Sequence, residues 1–284
     1  MLEFINVTKK FNSDLFTQAF VALNDLSFKV REEKVVGFLG ANGAGKTTSL
    51  KISMDFIRPT SGSIQFSSRL GNSQKEIFSK IGFLPERPYF YPHLTGREFC
   101  SYMGKLSGLT KKRIDEQVRY WGPIFKIEFA LDRLINNYSK GMLQRIGFLV
   151  TLLHDPEFVI LDEPLSGLDP VGRKELKDVI IKINEKGKTI FFSSHIVSDV
   201  EEVSDDVIFL KSGELAYQGA IDSLLESHSK DKVFIRYREN GKTNLITSNF
   251  DKKNSDILNL INKGNEIISV ENEKVTLEEI IYHV

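Results

Sequence analysis

Gly40-Ala41-Asn42-Gly43-Ala44-Gly45-Lys46-Thr47 fits the G-x-x-x-x-G-K-[ST] pattern of a phosphate-binding loop. Its flanks agree. Val35-Val36-Gly37-Phe38-Leu39 is a short apolar run, as expected of a buried parallel strand. Thr47 to Phe56 contains Leu50, Ile52, Met54 and Phe56 and no proline, which suits a helix packed on a sheet. A strand, a glycine-rich turn and a helix start together form an anion site, because backbone N–H groups face the ligand and the helix dipole favours negative charge. The expected nucleotide-binding set is Gly40, Asn42, Gly43, Ala44, Gly45, Lys46, Thr47 and Thr48. Lys46 is expected to reach the β- and γ-phosphates and the Thr47 hydroxyl to ligate Mg²⁺.

Around this loop the chain alternates strands and helices. Phe158-Val159-Ile160-Leu161 reads as a buried strand, Val171 to Glu185 as an amphipathic helix, and Thr189 to Ser193 as another strand. Such units imply a mainly parallel sheet with helices on both faces, which binds ligands off the carboxyl ends of its strands. Three strands end in residues suited to phosphate chemistry: Leu39 into the loop, Leu161 into Asp162-Glu163, and Ser193 into Ser194-His195. Asp162 is placed to hold a metal-bound water near Thr47. Glu163 is placed to orient an attacking water as general base, and His195 to hydrogen-bond the γ-phosphate and the water.

Before the loop, Leu2–Thr8 reads as an edge strand forming an antiparallel hairpin with Leu26–Val30, beside the first parallel strand. Between them Phe11 is the candidate for stacking on a nucleotide base, with Phe16 and Phe20 as competitors. Short strands are expected at Ser63–Phe66 and Lys80–Leu84. From about 88 to 155 the pattern becomes helical: one helix through Leu106 with a Thr95/Glu98 capping box, one from Thr110 to Tyr120, and one capped by Ser139.

The 284 residues are 41% hydrophobic and 27% charged, with 38 basic and 38 acidic side chains. That is ordinary for a globular chain and supplies no basic field, so a nucleic-acid partner is not expected. A single cysteine, Cys100, allows no intramolecular disulfide. Met1-Leu2-Glu3-Phe4 lacks a basic region before an apolar core, and the longest apolar runs fall far short of the ~20 residues that span a bilayer, so a cytoplasmic location is expected. The remaining histidines are scattered without ligand spacing, and no further metal site is expected.

The loop, Leu161-Asp162-Glu163-Pro164, Ser166-Gly167-Leu168-Asp169, Ser193-Ser194-His195 and Tyr138-Ser139-Lys140-Gly141-Met142-Leu143-Gln144-Arg145 come in an order and spacing that resemble the ATP-binding subunit of an ABC transporter. The resemblance covers about Leu2 to Gly219. The variant is similar to prokaryotic exporters whose ATPase and membrane protein are separate chains. It implies a phosphate-loop NTPase core with a mainly parallel sheet, an antiparallel β subdomain and a helical insertion. Residues 1–219 would be the ATPase domain and 220–284 a small α+β extension.

The resemblance also implies ATP and Mg²⁺ as cofactors, an integral-membrane permease, and a second ATPase subunit paired head to tail. The chain would then lie peripherally on the inner face of the cell membrane. Each ATP would lie between one subunit's Lys46 loop and the other's Ser139-Lys140-Gly141, and Asp169 would cross the interface. Tyr-Ser-Lys-Gly-Met departs from the commoner Leu-Ser-Gly-Gly-Gln, and Glu86 stands where Gln is usual after Leu84-Pro85. Glu86 is therefore a candidate Mg²⁺ ligand beside Thr47 and Asp162. The aromatic stretch Tyr89-Phe90-Tyr91 and the following Phe99 and Tyr102 mark where a helix of the membrane subunit would dock. An ATPase acting on ribosomes or DNA would resemble two cassettes in one chain or carry a coiled-coil insertion, yet one loop and no heptad run are present. A phosphate-loop kinase would leave Ser139-Lys140-Gly141, Asp169 and His195 unexplained.

Overall fold

The apolar run ahead of the phosphate loop sits in the middle of a six-stranded sheet. The computed structural model describes residues 1–11, 20–228, 232–273 and 275–281, in two units, Met1–Ala220 and Ile221–Val284.

In the first unit, β1 (Leu2–Phe11) and β2 (Phe20–Val30) pair antiparallel with Phe4 opposite Phe28. β3 (Val35–Gly40) is buried at every residue and runs into the phosphate loop, and α1 (Lys46–Ser53) follows it. β4 (Ser61–Phe66) pairs with the free side of β1, placing Leu2 opposite Phe66 in a sheet of order β2-β1-β4. Two expectations are corrected here. β1 is a middle strand rather than an edge, and the hairpin makes its own sheet instead of extending that of β3. The two sheets meet through side chains: Phe4 stacks on Phe28 at 4.4 Å, and Phe38 lies 5.5 Å from Phe28 and 5.0 Å from Phe191. Each such pair adds about 0.5–1.5 kcal/mol beyond its burial.

α2 (Gln74–Ser79) opens on a Ser73/Glu76 capping box and leads to β5 (Ile81–Leu84). The helical region holds α3 (Gly96–Leu106), α4 (Lys111–Ile124) and α5 (Lys140–Leu152). The Thr95/Glu98 capping box and the Ser139 cap are both formed. α4 runs past Tyr120, burying Trp121 and Gly122 and carrying Pro123 in its last turn at the loss of one i→i−4 hydrogen bond. Trp121, Phe125 and Phe148 form its aromatic core.

The alternation resumes with β6 (Phe158–Leu161), α6 (Pro170–Asn184), β7 (Thr189–Ser194), α7 (Val197–Val203), β8 (Asp206–Lys211) and β9 (Glu214–Ala220). The large sheet has order β5-β6-β7-β3-β8-β9, parallel throughout except for β9, which pairs antiparallel with β8. With β6, β7 and β3 adjacent, all three functional strand ends fall on one edge.

The second unit comprises α8 (Ile221–Ser227), β10 (Lys232–Glu239), β11 (Lys242–Asn249), α9 (Lys253–Asn262), β12 (Glu266–Asn272) and α10 (Leu277–Ile281). Its antiparallel sheet, β11-β10-β12, buries Val233 and Ile235 with Leu260 of α9. The sequence also suggests a short helix from Thr276 to His283, of which His283 lies outside the described residues.

Candidate nucleotide site

The phosphate loop can curl because two of its residues adopt backbone conformations that favour glycine. Gly43 has φ 84° and Gly45 φ 106°. A Cβ on Gly45 would lie 2.8 Å from the Ala22 carbonyl oxygen, so the second position admits nothing larger. Lys46 opens α1 and is only 6% exposed. Its Nζ donates to the carbonyls of Gly40 (2.7 Å) and Ala41 (3.2 Å) and lies 3.4 Å from Glu163 Oε1.

β6 plants Asp162 at its end, where the Asp162 N–H donates to the Leu84 carbonyl at 2.8 Å. Asp162 Oδ1 accepts hydrogen bonds from Ser193 Oγ (2.7 Å) and Thr47 Oγ1 (3.4 Å). Burial pushes the Asp162 carboxyl above its usual range; those two hydrogen bonds oppose this, and the charges of Glu163 and Glu86 reinforce it. Glu163 follows with φ 47°, a left-handed conformation that costs a non-glycine residue about 1–3 kcal/mol and is characteristic of functional positions. Its N–H donates to Ser193 Oγ at 2.8 Å. Ser193 therefore fixes both acids at once, a role the sequence reading did not assign. Glu163 Oε2 faces His195 Nδ1 at 2.9 Å, while Oε1 is buried without a hydrogen-bond partner among the described residues.

Lys46, Thr47, Glu163 and His195 share a cavity of about 420 Å³ with Asn42, Gly43, Gly45 and Thr48 of the loop and with Glu86, whereas Asp162 and Ser193 lie behind the lining. Ser166, Ala22 and Phe20 also line the cavity, and the sequence reading had given the first two no part. Gly40 and Ala44 lie behind the lining: Gly40 accepts from Lys46, and Ala44 accepts from the Gly213 N–H at 3.0 Å. Phe11, the candidate for base stacking, does not line the cavity. It pairs across the strands with Phe20, and Lys9 Nζ lies 5.0 Å above its ring. Phe20 is 60% exposed and does line the cavity, whereas Phe16 lies outside the described residues.

Ser139, Lys140, Gly141 and Asp169 do not line this cavity either. Ser139 caps α5 by accepting from the Met142 N–H at 3.3 Å, and Asp169 caps α6 by accepting from the Gly172 N–H at 2.9 Å. The Lys140 side chain lies over Gly167 (φ 68°), where a Cβ would come within 1.7 Å of its Nζ.

A triphosphate with Mg²⁺ fits the donor set at the cavity. The loop presents backbone N–H groups and one buried ammonium, Thr47 and Glu86 on the lining and Asp162 behind Thr47 offer oxygen ligands of the kind Mg²⁺ prefers, and Glu163 Oε1, 3.4 Å from Lys46 Nζ and without a hydrogen bond among the described residues, can take a water proton. Comparison with known proteins agrees. The family model described as ABC transporter matches residues 23–166. The chain belongs to the ABC transporter family.

Among relatives of this ABC transporter chain, an uncharacterised ABC transporter ATP-binding protein of Nostoc is 41% identical over 217 residues, 75% of this chain and 64% of its own length. The match thus spans under two thirds of that relative. The bacitracin transport ATP-binding protein BcrA of Bacillus licheniformis is 38% identical over 81% of this chain and 75% of its own. A solved ATP-binding subunit of an ABC transporter, 26% identical, superposes with a TM-score of 0.68 over 80% of this chain and 92% of that one.

Proposed function

We propose that this chain binds and hydrolyses ATP with Mg²⁺ as one of two ATPase subunits that power export through a separate integral-membrane permease. One observation carries the reading: Lys46, Thr47, Glu163 and His195 line one cavity, while Ser139-Lys140-Gly141 and Asp169 lie off it. The second group suits the ATP of a second subunit paired head to tail, as a homodimer or with a close homologue. Ser139, at the start of α5, then faces that ATP's γ-phosphate with the dipole of its helix.

In hydrolysis, Glu163 accepts a proton from water as the water oxygen bonds to the γ-phosphorus and ADP leaves. Lys46 turns from its loop carbonyls to the β- and γ-phosphates, and His195, held by Glu163, orients water and γ-phosphate. Thr47, Asp162 and Glu86 would hold Mg²⁺, which when bound neutralises phosphate charge. Phe20 and Phe11 are the candidates for the base, and the cavity lining favours Phe20.

Met1–Ala220 is read as the ATPase domain, with its helical part at about 88–155, and Ile221–Val284 as an accessory extension. Among the described residues no helix is long and apolar enough to cross a membrane. The permease would therefore hold the chain peripherally at the cytoplasmic face. A groove of about 230 Å³ lined by Pro85, Tyr89, Phe90, Phe99 and Met103 suits a docked permease helix. Tyr89, 78% exposed, can meet a partner, whereas Phe90 packs 5.4 Å from the buried Phe99. The 38% identity to a bacitracin transport ATP-binding protein supports a transport role, for which export is the direction we propose. The balanced charge gives no reason to add a nucleic-acid partner.

Phosphate release by the purified chain tests the core of the reading. Mg²⁺-dependent ATP turnover that Lys46→Ala abolishes is expected. A chain that binds no ATP, or turns it over equally well without Lys46, would overturn it.

A further inference from the structure

Asp199 is a carboxylate with no role in the chemistry above, yet it is only 2% exposed and lies between two cations. Arg173 Nη2 donates to its Oδ2 at 2.5 Å, and Lys177 Nζ lies 3.7 Å from its Oδ1. Lys177 also pairs with Glu202. The two sides of this contact have telling addresses. Asp199 stands four residues after His195, in the first turn of α7. Arg173 stands four residues after Asp169, and its N–H donates to the Asp169 carbonyl at 2.9 Å. The pair therefore ties the helix start that follows His195 to the helix start that Asp169 caps.

The packing beside His195 and Asp199 leaves little slack. The void bounded by Glu163, Ser166, His195 and Asp199 measures about 10 Å³, no more than a single water needs. A buried charge there is retained against its desolvation penalty, and a well-packed apolar pair would hold two helices together as well. What the ion pair adds over such packing is a fixed direction: a guanidinium nitrogen on one carboxylate oxygen sets the angle between the two helix starts.

We propose that the Asp199–Arg173 pair is a positioning contact that makes His195 and Asp169 move as one body. It rests on the head-to-tail reading above and deepens it. His195 faces the ATP of its own subunit and Asp169 the site of the partner subunit, so a shift of His195 on the γ-phosphate is passed directly to the other site. Asp199 touches no substrate and acts only through the segments it joins.

The test is Asp199→Asn, which keeps shape and removes charge, measured as ATP turnover and as binding of a fluorescent ATP analogue. Turnover is expected to fall by about 10- to 100-fold, up to the order set by misplacing a catalytic group by about 1 Å, while analogue binding stays within about 2-fold, since Asp199 does not line the ATP cavity. The deciding readout is the same substitution on a His195→Ala background, by the logic of a double-mutant cycle. There Asp199→Asn is expected to change the residual rate by less than about 2-fold, because the group it positions is already gone. Asp199→Asn with wild-type turnover, or an equal loss on both backgrounds, overturns the proposal and leaves the contact structural. A wild-type chain that neither binds nor hydrolyses ATP would instead sink the parent reading, so the two failures are distinguishable.

Discussion

The two sets of residues that the proposed function assigns to phosphate differ in how they are finished. At the ends of β3, β6 and β7, the groups satisfy one another within one chain: Ser193 bonds Asp162 and the Glu163 backbone, and Glu163 meets Lys46 and His195. At the starts of α5 and α6, Ser139 and Asp169 do no more than cap their own helices, and Lys140 lies across a glycine. The first set is a pocket; the second is a surface. On the proposed reading, a centre complete on one side and bare on the other is finished by a second subunit. A point change in each set should therefore fail in a different way.

The largest expected effects break the pocket. Lys46→Ala removes the one buried ammonium at the phosphates and should lose ATP binding outright, as read by a fluorescent analogue. Glu163→Gln keeps shape and removes the base. It should still bind ATP while phosphate release falls by about 10²–10⁴. Near-normal hydrolysis by that variant would remove Glu163 from the mechanism.

The surface set should fail differently. Ser139→Glu puts a negative charge where the partner subunit's γ-phosphate would sit. ATP binding to the single chain should stay within about 2-fold while turnover drops by about 10²–10³, the scale of losing one preorganised anion contact. Loss of binding and turnover together would mean that Ser139 belongs to the pocket, and the contrast between the two sets would collapse.

Glu86 is the one lining residue whose identity departs from the usual form, and the smaller effects begin with it. It sits in the cavity with its Oε1 3.8 Å from Arg87, close enough for its charge to act on Asp162. Glu86→Gln should weaken the Mg²⁺ dependence of turnover yet change saturated turnover by less than about 10-fold, or about 1.4 kcal/mol. Identical Mg²⁺ titrations of the two proteins would show that Glu86 never meets the metal.

The smallest expected effect lies away from both sets, at the groove lined by Tyr89 and Phe90, where His154 Nε2 contacts the Ile81 carbonyl at 3.0 Å. Burial lowers its pKa, so the folded chain binds a proton less readily than the unfolded one. Stability from this residue is therefore full above about pH 6.5, the ordinary value, and declines as pH falls below it. Melting temperatures between pH 7.5 and 5.5 should fall less for His154→Gln than for wild type. Parallel declines would show that folding does not lower the His154 pKa.

The pocket was largely legible in the sequence because it is built from contiguous motifs at strand ends. The glycines, Lys46, Asp162, Glu163 and His195 each sit within a residue or two of an apolar run that fixes their place. Less legible were contacts across the chain. Ser193 gave no signal beyond preceding His195, and Phe20 could not be preferred to Phe11 without the strand register that pairs them. β8 and β9 were missed although Ser212-Gly213, both at positive φ, mark their turn. β11 was missed for the same kind of reason. Asn240-Gly241, both at positive φ, is a strong hairpin signal, but the polar Lys242-Thr243-Asn244 beyond it hid the strand. β1 was read as an edge because its second partner, β4, begins with three exposed residues and shows little apolar pattern.

The central claim is that pocket and surface complete each other only between two chains. Light scattering on size-exclusion fractions of Glu163→Gln, with and without ATP, tests it most directly. A monomer is expected without ATP, a dimer with ATP, and a monomer again when Ser139→Glu is added with ATP present. A Glu163→Gln chain that stays monomeric in saturating ATP, or a dimer that ignores the charge at Ser139, would contradict it.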